Sequence, residues 1–408
     1  MTSRQSLFRS FFLGGFECST HRLPGGKRLD LVASTSHDAL AASDYRLLQR
    51  YGMRTARDGV RWHLIEATPG KYDFSSLVPM LRAARDTGMQ VIWDLWHYGW
   101  PDDLDIWSPE FVDRFASFAR AFAEVASRES AAAPYVAPIN EISFFSWAGG
   151  DGGIFNPFAK GRGNEMKAQL IRASIAAIEA MRSVSLDIRV FQIDPIIHVV
   201  ASSDHPEDAA RAEAYRQSQF EAWDMLSGRS RPELGGKPEY LDVMGVNYYI
   251  HNQRFYDGGM LEPSHPQYRH VREMLQEVYE RYRRPLFIAE TGIEDDARPA
   301  WLRYMGNEVR AAIRAGVPIE GLCLYPVVNH PGWDDDRHCY NGLFDYPDET
   351  GARAAYKPLA DELARQAALI EQIRAGGPAH VDVTEWDEAQ LDWAAHIMKE
   401  RTDEGRSE

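Results

Sequence analysis

Two glutamates stand where apolar runs stop. Ile139-Asn140-Glu141 closes one run, and Leu286-Phe287-Ile288-Ala289-Glu290 closes another, with Thr291-Gly292 behind it. Two carboxyl groups flanking a sugar ring are the minimal apparatus for glycoside hydrolysis, one acting at the anomeric carbon and the other on the leaving oxygen. A lone strand-end glutamate says little; a pair, the first preceded by Asn140, is more specific. Other runs end in residues that suit the same chemistry. Arg57 lies on one, Trp96-His97-Tyr98 closes another, Asn247-Tyr248-Tyr249 a third, and Asn329, His330 and Trp333 follow the last. A guanidinium and a phenol hydroxyl hold a carboxylate charged. His97 and Asn140 offer fixed donors and acceptors to hydroxyls, and Trp333 offers an aromatic platform to a sugar's apolar face.

These residues need a scaffold that brings distant strand ends together. The apolar runs are Phe11–Phe16, Met53–Val60, Gln90–Trp96, Tyr135–Asn140, Ile188–Ile193, Leu241–Tyr249, Pro285–Glu290 and Gly321–Val328. Helix-period segments separate them. In Ser108–Ser127, Phe111, Phe115, Phe118, Phe122 and Val125 fall on one helical face, with Ser108 and Pro109 reading as N-cap and first-turn proline. Three helical segments end Gly52-Met53, Gly88-Met89 and Gly316-Val317, a glycine stop before each following run. Strands alternating with helices imply a parallel sheet, and eight units close into a (β/α)8 TIM barrel whose active site lies at the strands' C-terminal ends. On that plan the fourth and seventh strands carry Glu141 and Glu290 to facing walls. The alternative is an open doubly wound sheet, weakened by the lack of Gly-x-Gly-x-x-Gly after the first run. We expect one α/β domain over 1–375 with large βα insertions at Ser202–Tyr240 and Asn252–Gln267. The segment 376–408 reads as a C-terminal appendage, partly helical around Leu391–Met398 and disordered at its end.

The 408 residues carry a formal charge of −15, which argues against nucleic acid or an anionic membrane as partner. No apolar run is long enough to span a bilayer. Leu7–Phe16 is interrupted by Arg9 and followed by Glu17, so no signal peptide is read. Three scattered cysteines, Cys18, Cys323 and Cys339, suggest a reducing compartment, hence a cytoplasmic protein. Asp334-Asp335-Asp336 lacks the spacing of a calcium loop and reads as a solvated acidic loop. No metal or cofactor is expected; the expected partner is a small glycoside or oligosaccharide.

The motifs resemble those of the family 1 glycoside hydrolases and, more broadly, the clan A retaining β-glycosidases, from about Phe12 to Asp345. Phe12-Leu13-Gly14-Gly15 resembles the opening strand. Arg57 to Trp62 with Glu66, Gly70 and Tyr72-Asp73-Phe74 is similar to the second strand and its loop. Trp96-His97-Tyr98-Gly99-Trp100-Pro101 resembles the third-strand motif. Ile139-Asn140-Glu141 resembles the acid/base motif, Gly245-Val246-Asn247-Tyr248-Tyr249 the sixth-strand motif and Ala289-Glu290-Thr291-Gly292 the nucleophile motif. The resemblance implies a retaining β-glycosidase, with Glu290 as nucleophile, Glu141 as acid and then base, Asn140 on the sugar 2-hydroxyl, and Arg57 and Tyr249 orienting Glu290. Five positions depart from the pattern. Ile142 replaces a proline, Thr291 an asparagine, Tyr325 a tryptophan, and Gly332 the glutamate that grips outer hydroxyls. The sugar-gripping glutamine of the opening strand is replaced by His21 or Arg22, so the glycone is expected to be non-standard, and anionic if Arg22 enters the pocket. A transglycosylase using the same residues and a non-catalytic sugar-binding barrel are the alternatives.

Overall fold

A computed structural model of the chain describes residues 6–130, 132–333 and 335–375. The eight apolar runs form eight strands: β1 (Phe12–Gly15), β2 (Thr55–Gly59), β3 (Gln90–Asp94), β4 (Tyr135–Ala137), β5 (Arg189–Pro195), β6 (Val243–Asn247), β7 (Leu286–Thr291) and β8 (Ile319–Leu324). All pair in parallel and close into a barrel in the cyclic order β1-β8-β7-β6-β5-β4-β3-β2. Being covered on both faces, most of them read in the sequence as continuous apolar runs rather than alternating ones, while β2, Thr55-Ala56-Arg57-Asp58-Gly59, buries charged groups that pair with the buried Asp94 and His37.

Around the strands lie α1 (His37–Arg50), α2 (Val78–Thr87), α3 (Pro109–Glu129), α4 (Gly163–Arg182), α5 (Ala209–Gln217), α6 (Glu221–Leu226), α7 (Val271–Tyr282), α8 (Arg298–Arg314) and α9 (Lys357–Arg374). The phenylalanine stripe of α3 is fully buried, and Trp62 packs on it with ring centroids 5.2 Å from Phe115 and 5.3 Å from Phe118. Each such ring contributes roughly 1.5–3 kcal/mol by leaving water. Ser108 is extended as a cap residue should be, but its hydroxyl turns back to Asp105 O (2.8 Å) and makes no cap bond. Pro109 starts the helix instead, because it has no N–H to satisfy. At the other end of such units, Gly88 takes φ +71° to stop α2 before β3, as the sequence pattern implied.

The barrel interior holds its own apolar cluster, including Leu13, Ile92, Phe191, Ile193, Val243, Phe287 and Ala289. Phe8, just ahead of β1, closes the lower end, with ring centroids 5.9 Å from Phe191 and 5.2 Å from Phe287. Both expected insertions leave the upper end. One follows β5 and carries α5 and α6; the other follows β6. A parallel strand pair, His198–Val200 with Gln253–Phe255, ties them together. Among the described residues no helix is long and apolar enough to cross a membrane. The expected appendage, 376–408, lies outside the described residues.

Candidate active site

The polar residues at the upper strand ends converge. Past β4 the chain bridges to Ile193, and Glu141 adopts a left-handed conformation (φ 49°, ψ 59°), its N–H bonded to Ile193 O at 3.0 Å. A non-glycine residue there costs on the order of 1–3 kcal/mol and persists only when its surroundings fix it. Here Ser143, in the first turn of the short helix Ile142–Phe145, is gripped by Asp194 from β5, which accepts from Ser143 N and Oγ at 3.0 Å each. The cap that Glu141 would ordinarily supply thus comes from a neighbouring strand, and the Glu141 carboxyl is left for the cavity.

Glu290, next to last on β7, receives Arg57 Nη1 at 2.6 Å on one oxygen and the Tyr249 hydroxyl at 2.9 Å on the other. Arg57 is fully buried. Its fork also grips Asp94 (3.1 and 2.6 Å), and Nη2 donates to Asn140 Oδ1 at 2.7 Å. That contact turns the amide of Asn140 so that Nδ2 faces His97 Nε2 and Tyr98 Oη, each at 3.1 Å. Tyr98 in turn donates to Glu141 Oε2, and Asn247 Nδ2 donates to its Oε1 at 2.9 Å. An unbroken chain of hydrogen bonds therefore runs Glu290–Arg57–Asn140–Tyr98–Glu141. The two carboxyls sit in opposite electrostatic settings. Burial, and then the charge of Glu290, push Glu141 up to about 7 against the pull of Tyr98 and Asn247. Burial and the charge of Glu141 likewise push Asp194 up to about 8.

Glu141 and Glu290 line one cavity of about 620 Å³, together with His97, Tyr98, Tyr249 and Trp333 among the expected residues. Arg57, Asn140, Asn247 and Tyr325 are fully buried behind that wall, and Arg57 and Asn140 are engaged with side chains rather than presented to a ligand. His21 is buried against Phe155 and Trp333, with ring centroids at 4.2 and 4.9 Å, and burial pushes it down to about 4. It backs Trp333 and does not reach the cavity. Arg22 points away, paired with Asp102 and donating to Gly26 O.

The fold has solved counterparts. A β-glucosidase from Thermotoga maritima in complex with glucoimidazole superposes with a TM-score of 0.71 at 16% identity, covering 92% of this chain and 100% of the other. The structure described as the family 1 β-glucosidase from that organism gives the same values. Its complex with noeuromycin gives a TM-score of 0.69 at 16% identity and the same coverage. The chain shares the (β/α)8 barrel fold of these β-glucosidases. No protein-family model matches the sequence, and no curated protein does.

Within this β-glucosidase fold, sequence reasoning missed one residue at the cavity floor. Glu17 lines the cavity, and both the N–H and the hydroxyl of Ser19 converge on its Oε1 (2.9 and 2.5 Å), leaving Oε2 free of described donors. Burial works against its charge, but His97, His330 and Ser19 outweigh it and hold the carboxyl below the usual range. The signal was present: Glu17 ends the first apolar run, as Glu141 and Glu290 end theirs. Gly332, where the family 1 pattern has a glutamate, offers no side chain, and the Asp335 carboxylate occupies the space beside its Cα, 2.0 Å from where a Cβ would stand.

Cys18, Asp94 and His97 bring donor atoms within 4.8 Å of one another. A divalent transition metal held by these three side chains would need the thiolate and an available carboxylate. Burial pushes the Cys18 thiol up to about 11 and Arg57 occupies Asp94, so the trio is better suited to buttress His97, whose Nδ1 lies 3.1 Å from Asp94 and 3.2 Å from Cys18. In the acidic loop Asp335 pairs with Arg337 and Asp336 with Lys27; Asp334 lies outside the described residues.

Proposed function

We propose that the chain is a retaining β-glycoside hydrolase. The observation that carries this reading is the pair of glutamates on one cavity with opposed surroundings: Glu290 gripped by Arg57 and Tyr249, and Glu141 buried among Tyr98 and Asn247 and pushed up to about 7 by burial and the charge of Glu290. Glu290 attacks the anomeric carbon while Glu141 protonates the departing oxygen, giving a covalent glycosyl-enzyme. Esterification removes the Glu290 charge that raised Glu141. Glu141 then ionises more readily and takes a proton from the water that releases the sugar. Tyr98 and Asn247 keep its two oxygens aimed in both steps.

The glycone reading moves from Arg22 to Glu17. A carboxylate at the floor accepts hydroxyl donors in place of the glutamate that Gly332 lacks, and it repels a glycone carrying an anion. The glycone is therefore not anionic. A panel of aryl β-glycosides tests the proposal. Wild type should release the same anomer first, seen by NMR, and Glu290→Ala should lose at least about 10³-fold in kcat. Turnover by Glu290→Ala at the wild-type rate, or first release of the inverted anomer, would overturn it.

A further inference from the structure

The cavity extends well beyond the two glutamates. Its volume of about 620 Å³ falls inside the range of roughly 300–1,000 Å³ typical of pockets that enclose a whole organic ligand. In the barrel ring β1 stands opposite β5. Glu17 and Trp333 thus bound the cavity on the β1 and β8 side, and the two insertions after β5 and β6 build the other wall. Tyr215, from α5, and Arg254, from the strand tied to His198–Val200, belong to that wall. Between the two walls, past Glu141, lie Phe144 and Trp147. A leaving group protonated by Glu141 exits along this side.

Arg254 is half-buried, and among the described residues no carboxylate pairs with it. Its Nη2 donates to the Tyr215 hydroxyl, and its guanidinium lies 5.2 Å from that ring's centroid. The remaining N–H groups have no described acceptor, although a guanidinium presents five donors. Local acid is not scarce. Arg216, next to Tyr215, pairs with both Glu213 and Glu277, and the charge of Lys167 on the same cavity is met by Glu221 at 2.5 Å. In a chain of net charge −15, an unmatched, positioned guanidinium facing a cavity is a ready anion receptor.

Resting on the glycosidase reading, we infer that this wall is an aglycone subsite for a leaving group that carries a carboxylate, with Arg254 pairing to it and Tyr215 fixing Arg254. The aromatic side chains Phe144 and Trp147 cover the apolar part of the same group.

The test compares two aryl β-glycosides of one accepted glycone, a nitrophenyl glycoside and its ring-carboxylated counterpart. The ratio of their kcat/KM values cancels differences in glycone binding. Relative to wild type, Arg254→Gln should lower the charged-to-neutral ratio about tenfold, as expected for a partly desolvated charge-assisted pair. Arg254→Lys should fall between, because it keeps the charge without the fork. Raising ionic strength should lower the ratio in wild type, a test that needs no variant to fold. A ratio unchanged by both variants and by salt would overturn the subsite while leaving the hydrolase reading intact. Failure of wild type to turn over either substrate with any glycone would overturn the hydrolase reading, and this inference with it.

Discussion

Tyr98→Phe isolates one of the forces that set the proton on Glu141. The phenol donates to the carboxyl, and with Asn247 it opposes burial and the charge of Glu290, leaving Glu141 at about 7. A hydrogen bond to a charged group contributes about 1.5–3 kcal/mol, and about 1.36 kcal/mol corresponds to one pH unit. Asn247 stays in place at 2.9 Å, so the lower end of that range applies, and Glu141 should rise to about 8. The assay is kcat/KM against pH on an aryl glycoside with a poor leaving group, where proton donation matters; this quantity reports the free enzyme. Wild-type activity should fall as pH rises through about 7, where Glu141 ionises, and the variant's should fall about one unit higher. An activated leaving group, which needs little protonation, should show a weaker alkaline loss in both. An alkaline limb that stays put or moves downward in Tyr98→Phe would refute the proton-donor role given to Glu141.

His37 sits fully buried between Asp44 and Asp58, 2.8 Å from each, and despite burial their charges raise it from its ordinary 6.5 to about 9. Its protonation therefore adds stability in full below about pH 6.5, and that contribution, about 3 kcal/mol, fades as pH climbs through about 9. Denaturant unfolding of wild type and His37→Asn from neutral to alkaline pH measures it; parallel curves would dismiss the idea. Phe8→Ala empties the lower end of the barrel and should cost about 3–5 kcal/mol, seen as a lower melting temperature. A loss under about 1 kcal/mol would mean that the lower end collapses around the gap or that Phe8 seals nothing.

The barrel was legible because its strands are buried on both faces and interrupted by helices that stop at glycine; period and punctuation are local properties. Glu141 and Glu290 were legible for the same reason, being polar residues at the ends of apolar runs. Glu17 obeys that rule too, but the family resemblance puts the gripping position further along, at His21 and Arg22, which the structure places behind Trp333 and out at Asp102. Ser108 shows the limit of local pattern: its hydroxyl has a competing backbone acceptor three residues earlier, Asp105 O, which the residue types alone do not rank below the cap. Arg254 and Tyr215 were beyond reach, since their meeting depends on Val199 pairing with Arg254 across two insertions. The roles of Arg57 and Asn140 as links behind the wall likewise depend on contacts between distant strands.

The plug formed by Phe8 and its ring neighbours closes the barrel at the end away from Glu141 and Glu290. On the proposed hydrolase reading, departing aglycone and arriving water share a doorway at the rim, so the first must clear the passage before the second can serve. Bulk added at that doorway would delay deglycosylation without touching either glutamate.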